Sequence, residues 1–313
     1  MAKHCQTGKG MFLKQPFHVL RHMTMHELVD LKKQRAYAVE AGKPLTRLDG
    51  CALLHPLMLT VIKIRRIMQR KKLLRLNERA DICSNAIFAV NHFCCLDVPS
   101  ACEAIQSHGI ILVGKQPLKP VDRAFSNLNG TIWVDRHGKE SKLCARRAMM
   151  DVLQRGKDLI DFPEGTWNLS PNALHLPLYW GIIDIAKQTG KPIIPLCIEY
   201  TDGKTLTKFS SPITVSGDDG KQEKAEELSA AFSTLKWDIY EYLPLHHRAD
   251  ISPDEWKKAV QSVIDAYPKL DLAYERSVIR KIHSSPTEAI AHLNRLHPSR
   301  ENGFLMRKLE GEI

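Results

Sequence analysis

The stretch DLIDFPEGT, residues 158–166, is the part of this chain that best indicates its fold. Its first five residues are a short apolar run bounded by turn signals, which is typical of a buried strand. The helix-like run SKLCARRAMMDVLQRG, residues 141–156, stands directly before it, and Pro163 and Gly165 indicate a tight turn directly after it. A helix that leads into a buried strand and then a tight loop is typical of an α/β protein.

Four more runs of this kind lie on either side of that stretch. They are AIFAV (86–90), GIILVG (109–114), TIWVDR (131–136) and PIIPLCIEY (192–200). Because strands alternate with helical patterns, we predict an α/β fold with a largely parallel central sheet flanked by helices. Helical patterns outside this region, such as MHELVDLKKQRAYAVEAG at 25–42, predict helical extensions at both ends. We therefore expect a basic helical N-terminal segment (1–80), a central domain (81–245) and a helical C-terminal tail (246–313).

The composition limits the class of protein. The chain has 313 residues, of which 43% are hydrophobic and 26% charged, as in a folded globular protein. We expect no membrane-spanning helix, since no run of about 18 apolar residues lacks a charge. The polar, basic start of the chain also argues against a secretory signal. The eight cysteines include no CxxC pair, so we expect reduced thiols, a cytoplasmic location and no zinc site.

The positive charge is concentrated near the N-terminus. Residues 1–80 hold 17 Lys and Arg against 5 Asp and Glu, whereas the rest of the chain holds 28 against 30. Within this region VIKIRRIMQRKKLLRLNERA, residues 61–80, has the apolar spacing of an amphipathic basic helix. Two interpretations stay open: the apolar stripe packs on the core, or it lies on an anionic membrane surface. Nucleic-acid binding is disfavoured because no aromatic platform or recognition motif accompanies the charge.

His92 and Asp97 follow the predicted strand AIFAV, where α/β proteins place binding and catalytic groups. A carboxylate that bonds one imidazole nitrogen fixes the tautomer and leaves the other nitrogen to accept a proton. The pair therefore has the composition of a general base with its orienting group. The alternative is that Asp97 caps the next helix beside a structural histidine.

Phe162-Pro163-Glu164-Gly165-Thr166 follows the strand DLIDF in the same way. Gly165 would let the backbone approach a substrate closely, and Glu164 would stand at the mouth of the sheet. The alternative is an ordinary turn with a solvated Glu164.

Four ordered blocks resemble those of the glycerolipid acyltransferases, the family of 1-acylglycerol-3-phosphate (lysophosphatidic acid) acyltransferases. The blocks are His92-x4-Asp97, Gly130-Thr-Ile-Trp-Val-Asp-Arg136, Phe162-Pro-Glu-Gly-Thr166 and Pro192-Ile-Ile-Pro195. The resemblance covers about residues 85–200, so it implies that the central domain is an acyltransferase domain. It also implies an O-acyltransferase that moves a fatty acyl group from acyl-CoA or acyl-carrier protein to a lysophospholipid hydroxyl.

The resemblance implies a role for each matching residue. His92 would be the general base and Asp97 its orienting carboxylate, while Lys115, Arg136, Glu164, Gly165 and Thr166 would bind the acceptor. The block around Pro195 would shape the acyl side. The thioester is already activated, so we expect no metal and no cofactor beyond the acyl donor. A peripheral position on the inner face of the membrane would bring the enzyme to its lipid acceptor.

Two departures from the family pattern bear on this expectation. The third block commonly continues with a basic residue, but position 167 is Trp. A phosphate-facing charge is therefore missing, and an acceptor without phosphate, such as a glycolipid, becomes the alternative. Cys94 and Cys95 lie inside the first block and raise the further alternative of an acyl-carrying thiol. The alternative from another class is a non-catalytic protein that binds membranes or nucleic acid through its basic segment.

Overall fold

In a computed structural model, the described part of the chain between residues 48 and 242 forms a seven-stranded sheet with six helices around it. The residues described are 48–77, 85–115, 118–136, 138–168, 174–201 and 203–242, together with positions 258, 261, 262 and 265. The predicted helix at 25–42 lies outside the described residues. The predicted tail from 246 onward also lies outside them, apart from those four positions.

The strands run in the order β1-β7-β6-β2-β5-β3-β4 across the sheet. Neighbouring strands are parallel except for β6 and β7, which are antiparallel. Their bounds are β1 Lys72–Arg75, β2 Ile87–Val90, β3 Gly109–Gly114, β4 Thr131–Val134, β5 Asp158–Asp161, β6 Ile193–Thr201 and β7 Lys204–Phe209. The prediction of an α/β fold with a largely parallel sheet is confirmed.

Helices cover both faces of the sheet. They are α1 Leu48–Met68, α2 Asp97–Ile105, α3 Pro120–Asn129, α4 Lys139–Gln154, α5 Gly181–Thr189 and α6 Lys221–Tyr242. One core cluster packs alternate strand residues such as Ile87 and Leu159 against α4, α5 and α6. The residues between them, such as Phe88 and Ile160, pack against α2 and α1 on the other face. Burial on both faces explains why β2 reads as a continuous apolar run, and every residue of β5 is buried as well, including Asp158 and Asp161.

The structure corrects the prediction for residues 61–80. The helix ends at Met68, Arg70 adopts a positive φ of 54°, and the chain continues into β1. Because β1 pairs with β7, residues 72–75 belong to the sheet and not to a helix. Part of the basic charge is also used internally, since Arg66 Nη2 lies 2.9 Å from Glu103 Oε1 on α2.

The parallel arrangement of the strands brings four of the residues singled out in the sequence to one edge of the sheet. His92 follows β2, Lys115 follows β3, Arg136 follows β4 and Phe162 follows β5, and these strands all run in the same direction. The carboxyl ends of parallel strands are the usual position of α/β active sites.

Candidate active site

The imidazole of His92 is bonded to the carboxylate of Asp97. His92 Nδ1 lies 2.7 Å from Asp97 Oδ2, and the His92 side chain is 15% exposed while that of Asp97 is fully buried. Because the carboxylate accepts from Nδ1–H, the neutral imidazole has Nε2 free of a proton. His92 also lines a cavity, so its ring is accessible to a ligand.

Asp97 accepts from three further N–H and O–H donors, besides a longer contact of 3.9 Å from the Cys94 thiol to Oδ1. The backbone N–H groups of Phe93 and Cys94 donate to Oδ2, the latter at 2.8 Å. The hydroxyl of Tyr200, at the end of β6, donates to Oδ1 at 2.8 Å. These backbone donors precede Asp97 in the chain, and α2 has no side-chain cap, so Asp97 turns back toward His92 and does not cap the helix. The sequence reasoning did not identify Tyr200, whose only signal was a tyrosine at the carboxyl end of a predicted strand.

The loop after β5 holds the backbone of His92 in place. The N–H of His92 donates to Glu164 Oε1 at 2.7 Å, and the N–H of Asn168 donates to the His92 carbonyl at 2.7 Å. The rings of Phe162 and Trp167 lie 4.5 and 6.1 Å from the imidazole, centroid to centroid. The imidazole is therefore positioned by this loop as well as by Asp97.

Glu164 holds the loops around His92 together through hydrogen bonds to their backbones. Its carboxyl is buried, and its other oxygen accepts from the N–H of Leu176 at 2.8 Å, so it ties together the loops after β2 and β5 and the loop before α5. Burial raises the pKa of Glu164 to about 7, opposed by the N–H donors of Leu176 and His92. Thr166 is equally buried.

Replacing Glu164 with glutamine is expected to destabilise the fold in a pH-dependent way. The amide has one oxygen, so one of the two backbone donors loses its acceptor, at a cost of about 1–3 kcal/mol. Because the pKa of Glu164 is higher in the folded than in the unfolded state, the protonated carboxyl stabilises the fold at low pH. This contribution is lost as the pH rises through about 7. Glutamine does not titrate, so the loss in free energy of unfolding should be larger at pH 5 than at pH 8. Urea unfolding of both proteins at the two pH values measures this, and an equal or reversed cost would contradict it.

Gly165 allows the loop to turn against an aromatic ring. Its φ is +69°, and a Cβ at this position would lie 2.5 Å from the ring of Tyr179. The N–H of Tyr179 donates to the carbonyl of Pro163 at 2.7 Å, which fixes this ring beside the loop. Both the backbone conformation and the close contact therefore favour glycine.

Replacing Gly165 with alanine is expected to lower the free energy of unfolding by more than the same change at Gly156. Gly156 also has a positive φ, +76°, but has open space around its Cα. Both variants incur the left-handed backbone cost of about 1–2 kcal/mol. The contact with Tyr179 adds to it at position 165, so urea unfolding should show the larger loss of stability there. Equal stability of the two variants would show that this contact has no effect.

A cavity of about 1020 Å³ opens beside His92. It extends over both faces of the sheet, and its apolar walls come from all the helices except α6. Residues of α1, α2 and α3 that line it include Met58, Ile62, Val98, Pro99, Val121 and Phe125. Residues of α4 and α5 include Ala145, Met149, Ile182 and Ile185. A volume of this size with mainly apolar walls suits a ligand with a long hydrocarbon chain.

Cations line the part of the cavity near α4. Arg136 lies across Gly114, where a Cβ would come within 2.6 Å of its Nε. Lys142 and Arg146, one helical turn apart on α4, line the cavity as well, and the sequence reasoning missed both. Their signal was the i, i+4 spacing of basic residues beside the buried Ala145 and Met149. Lys115 is exposed, and its N–H donates to the carbonyl of Val134 at 2.7 Å.

The predicted site residues thus separate into two groups. His92, Arg136 and Gly165 line the cavity, whereas the other predicted residues do not. Glu164 and Thr166, predicted to bind the acceptor, are buried and do not line the cavity, and Glu164 accepts from two backbone N–H groups. Their role in binding the acceptor stays a prediction.

Of the two cysteines near His92, Cys94 is buried and Cys95 is half-buried and lines the cavity. Cys94 is 7% exposed, and burial raises its pKa, with the charge of Asp97 adding to the effect. Burial likewise raises the pKa of Cys95. Since the thiolate is the nucleophilic form, neither environment favours an acyl-carrying cysteine. In the described part of the chain, no three His, Cys, Asp or Glu side chains are grouped to hold a metal.

Together these features define the class of this protein: an α/β domain with a histidine–carboxylate pair at a lipid-sized cavity. Residues 65–199 match the sequence model of the acyltransferase family. Residues 65–199 therefore carry an acyltransferase domain, which confirms the acyltransferase domain predicted from the four motif blocks. The match begins at Arg65, so it includes β1, in agreement with the revised start of the sheet.

Among solved structures, the fold is similar to that of the 1-acyl-sn-glycerophosphate (LPA) acyltransferase PlsC from Thermotoga maritima. The TM-score is 0.52 at 17% sequence identity, over 74% of this chain and 95% of that chain. At this identity the likeness concerns the fold. No curated protein sequence matches the chain at a significant level.

Proposed function

We propose that the protein is an O-acyltransferase that moves a fatty acyl group from acyl-CoA or acyl-carrier protein to the hydroxyl of a lysophospholipid. The observation that carries this proposal is the His92–Asp97 pair, bonded at 2.7 Å, at the wall of the cavity of about 1020 Å³. A hydroxyl is a poor nucleophile at neutral pH, so its attack on a thioester needs a base at this position.

The reaction requires one proton transfer in each direction. His92 Nε2 takes the proton of the acceptor hydroxyl as its oxygen attacks the thioester carbonyl, and a new C–O bond forms. Asp97 stabilises the imidazolium and keeps the ring oriented. When the tetrahedral intermediate collapses, the C–S bond breaks and the imidazolium returns the proton to the leaving thiolate. The products are an ester and a free thiol, and the proposed route uses no metal.

The cationic part of the cavity supports a phosphate-bearing acceptor. Arg136, Lys142 and Arg146 line it, and a guanidinium binds a phosphate by two parallel hydrogen bonds. Trp167, which is 5% exposed and lies beside His92, supplies no charge at the position where the family commonly has one. The second candidate is therefore acylation of a neutral acceptor such as a glycolipid.

Helix α1 supports a peripheral position on an anionic membrane. Leu57, Val61, Ile64 and Met68 recur at three- and four-residue spacing and are 40–79% exposed. Lys63 and Arg65 lie among them, so apolar insertion and lipid charge would act together. In the described ranges, no helix has the length and apolar character needed to cross a membrane. We propose the cytoplasmic face of the membrane as the location.

Vesicle flotation tests this location. The protein should float with vesicles that contain phosphatidylglycerol and much less with phosphatidylcholine alone, and the variant Ile64→Ser/Met68→Ser should lose binding. Failure to float with anionic vesicles would overturn the membrane proposal without affecting the acyl-transfer proposal.

Thiol release from palmitoyl-CoA tests the reaction. The purified protein is assayed with lysophosphatidic acid, with a neutral monoacylglycerol and without acceptor, and then with palmitoyl-carrier protein as the donor. Release that depends on lysophosphatidic acid supports the lead proposal, and release that depends on the neutral lipid supports the second candidate. No acceptor-dependent release from either donor would favour a non-catalytic binding protein.

A further inference from the structure

Asp161 is a buried carboxyl group that the proposed reaction does not use. It ends β5, is 6% exposed and lines the same cavity as His92. In the sheet it stands opposite Ala89, and it lies on the face of β5 that also carries Leu159, because side chains alternate along a strand. That face packs against α4 and α5, so the carboxyl lies in the part of the cavity lined by these helices.

Asp161 differs from the other buried acidic residues in its partners. The other buried acidic residues among those described are Asp97, Glu103, Asp158 and Glu164. Each of them accepts at least two hydrogen bonds. The partner of Asp161 is the backbone N–H of Phe162, and no described side chain bonds to it. A buried carboxyl with unused bonding capacity at a cavity wall is complementary to a polar group of a ligand.

The surroundings indicate which polar group this is. The nearby walls are apolar and include Ala145, Met149 and Ile182. Arg136 after β4, Lys142 and Arg146 on α4, and His92 after β2 line the cavity from the elements next to β5. The hydrogen bond described for Asp161 is to the backbone N–H of Phe162 and not to any of these four side chains. Burial raises the pKa of Asp161 to about 7, so near neutral pH the group exists as both acid and carboxylate. A hydroxyl, which donates and accepts, satisfies either form.

We propose that Asp161 is a specificity-determining residue that hydrogen-bonds a hydroxyl group of the lipid substrate. The hydroxyl belongs either to the polar headgroup of the acceptor or to a hydroxylated acyl chain of the donor, since both would have to reach His92 at the wall of this cavity. This proposal rests on the function proposed above. A site built to bond a hydroxyl discriminates strongly against the analogue that lacks it, since its buried polar group is then left unpaired.

The test measures binding and does not require turnover. Tryptophan fluorescence reports ligand binding because Trp167 and Trp180 line the cavity. One ligand pair is lysophosphatidylglycerol and lysophosphatidylpropanol, which carry equal charge and differ in headgroup hydroxyls. The other pair is 3-hydroxymyristoyl-CoA and myristoyl-CoA. We expect the wild-type protein to bind the hydroxylated member of one pair about 10- to 100-fold more tightly than its deoxy partner, measured as Kd. Whichever pair shows this preference tells whether the hydroxyl belongs to the acceptor headgroup or to the acyl chain of the donor.

Variants at position 161 assign that preference to Asp161. Asp161→Leu should abolish it while leaving the Kd of the deoxy ligand within about 3-fold, and Asp161→Asn should retain part of it. Met149→Leu changes the same wall without a polar group and is the matched control, with the preference expected unchanged. Equal Kd values within both pairs for the wild type would overturn the proposal even if Asp161→Leu does not fold. A preference that survives in Asp161→Leu would overturn it as well. If the wild type shows the preference but no thiol release, the acyl-transfer proposal fails and the hydroxyl site stands.

Discussion

Replacing His92 with alanine is expected to reduce acyl transfer by about 10²–10⁴-fold or more while the fold persists. The imidazole lines the cavity and is bonded through Nδ1 to the buried carboxylate of Asp97, which leaves Nε2 to accept a proton. Removing it leaves the acceptor hydroxyl without a base. The measurement is acceptor-dependent thiol release from palmitoyl-CoA, compared with the urea midpoint of the same preparation.

Two further variants separate base chemistry from packing. His92→Gln keeps a polar side chain near Asp97 but cannot accept a proton at neutral pH, so it should be as inactive as His92→Ala. Arg155→Ala removes an exposed ion pair with Asp151 at the end of α4 and should retain full activity. Activity of either His92 variant close to that of the wild type would exclude His92 as the base.

The central strands were predictable because a parallel sheet is buried on both faces. AIFAV lies among helices on either side, so its apolar run is continuous, and Leu159, Ile160 and Phe162 indicated the neighbouring strand DLIDF. The edge strand β1, with the sequence KLLR, is four residues long and half-exposed, and its basic neighbours gave it the pattern of a helix. The strand β7, KTLTKF, buries two threonines, whose polar character hides the core-facing positions.

The site was predictable where its members are close in sequence. His92 and Asp97 are five residues apart, and the loop that follows β5 is continuous, so both appeared as motifs. Tyr200 reaches Asp97 from a strand about 100 residues later, and such a contact depends on strand order, which the sequence alone does not define. The orientation of the Glu164 side chain likewise depends on the backbone N–H groups of His92 and Leu176, which donate to its two oxygens.

Replacing Asp97 with alanine is expected to affect both stability and activity. The carboxylate is fully buried and accepts from His92, two backbone N–H groups and Tyr200, so alanine leaves these donors without an acceptor. Since each unsatisfied buried group costs about 1–3 kcal/mol, the free energy of unfolding should fall by about 3 kcal/mol or more. Activity should fall by about 10²–10⁴-fold because nothing then fixes the tautomer of His92.

A graded series distinguishes the two roles of Asp97. Asp97→Asn keeps the volume and one accepting oxygen, so it should recover part of the stability, but its neutral amide does not stabilise the imidazolium and activity should remain low. Tyr200→Phe removes one donor and leaves the bond to His92, so activity should stay within about 10-fold of the wild type, with about 1 kcal/mol of stability lost. Urea unfolding and thiol release on the same samples measure both quantities. An active Asp97→Asn would make Asp97 a structural residue and leave His92 to act without an orienting carboxylate.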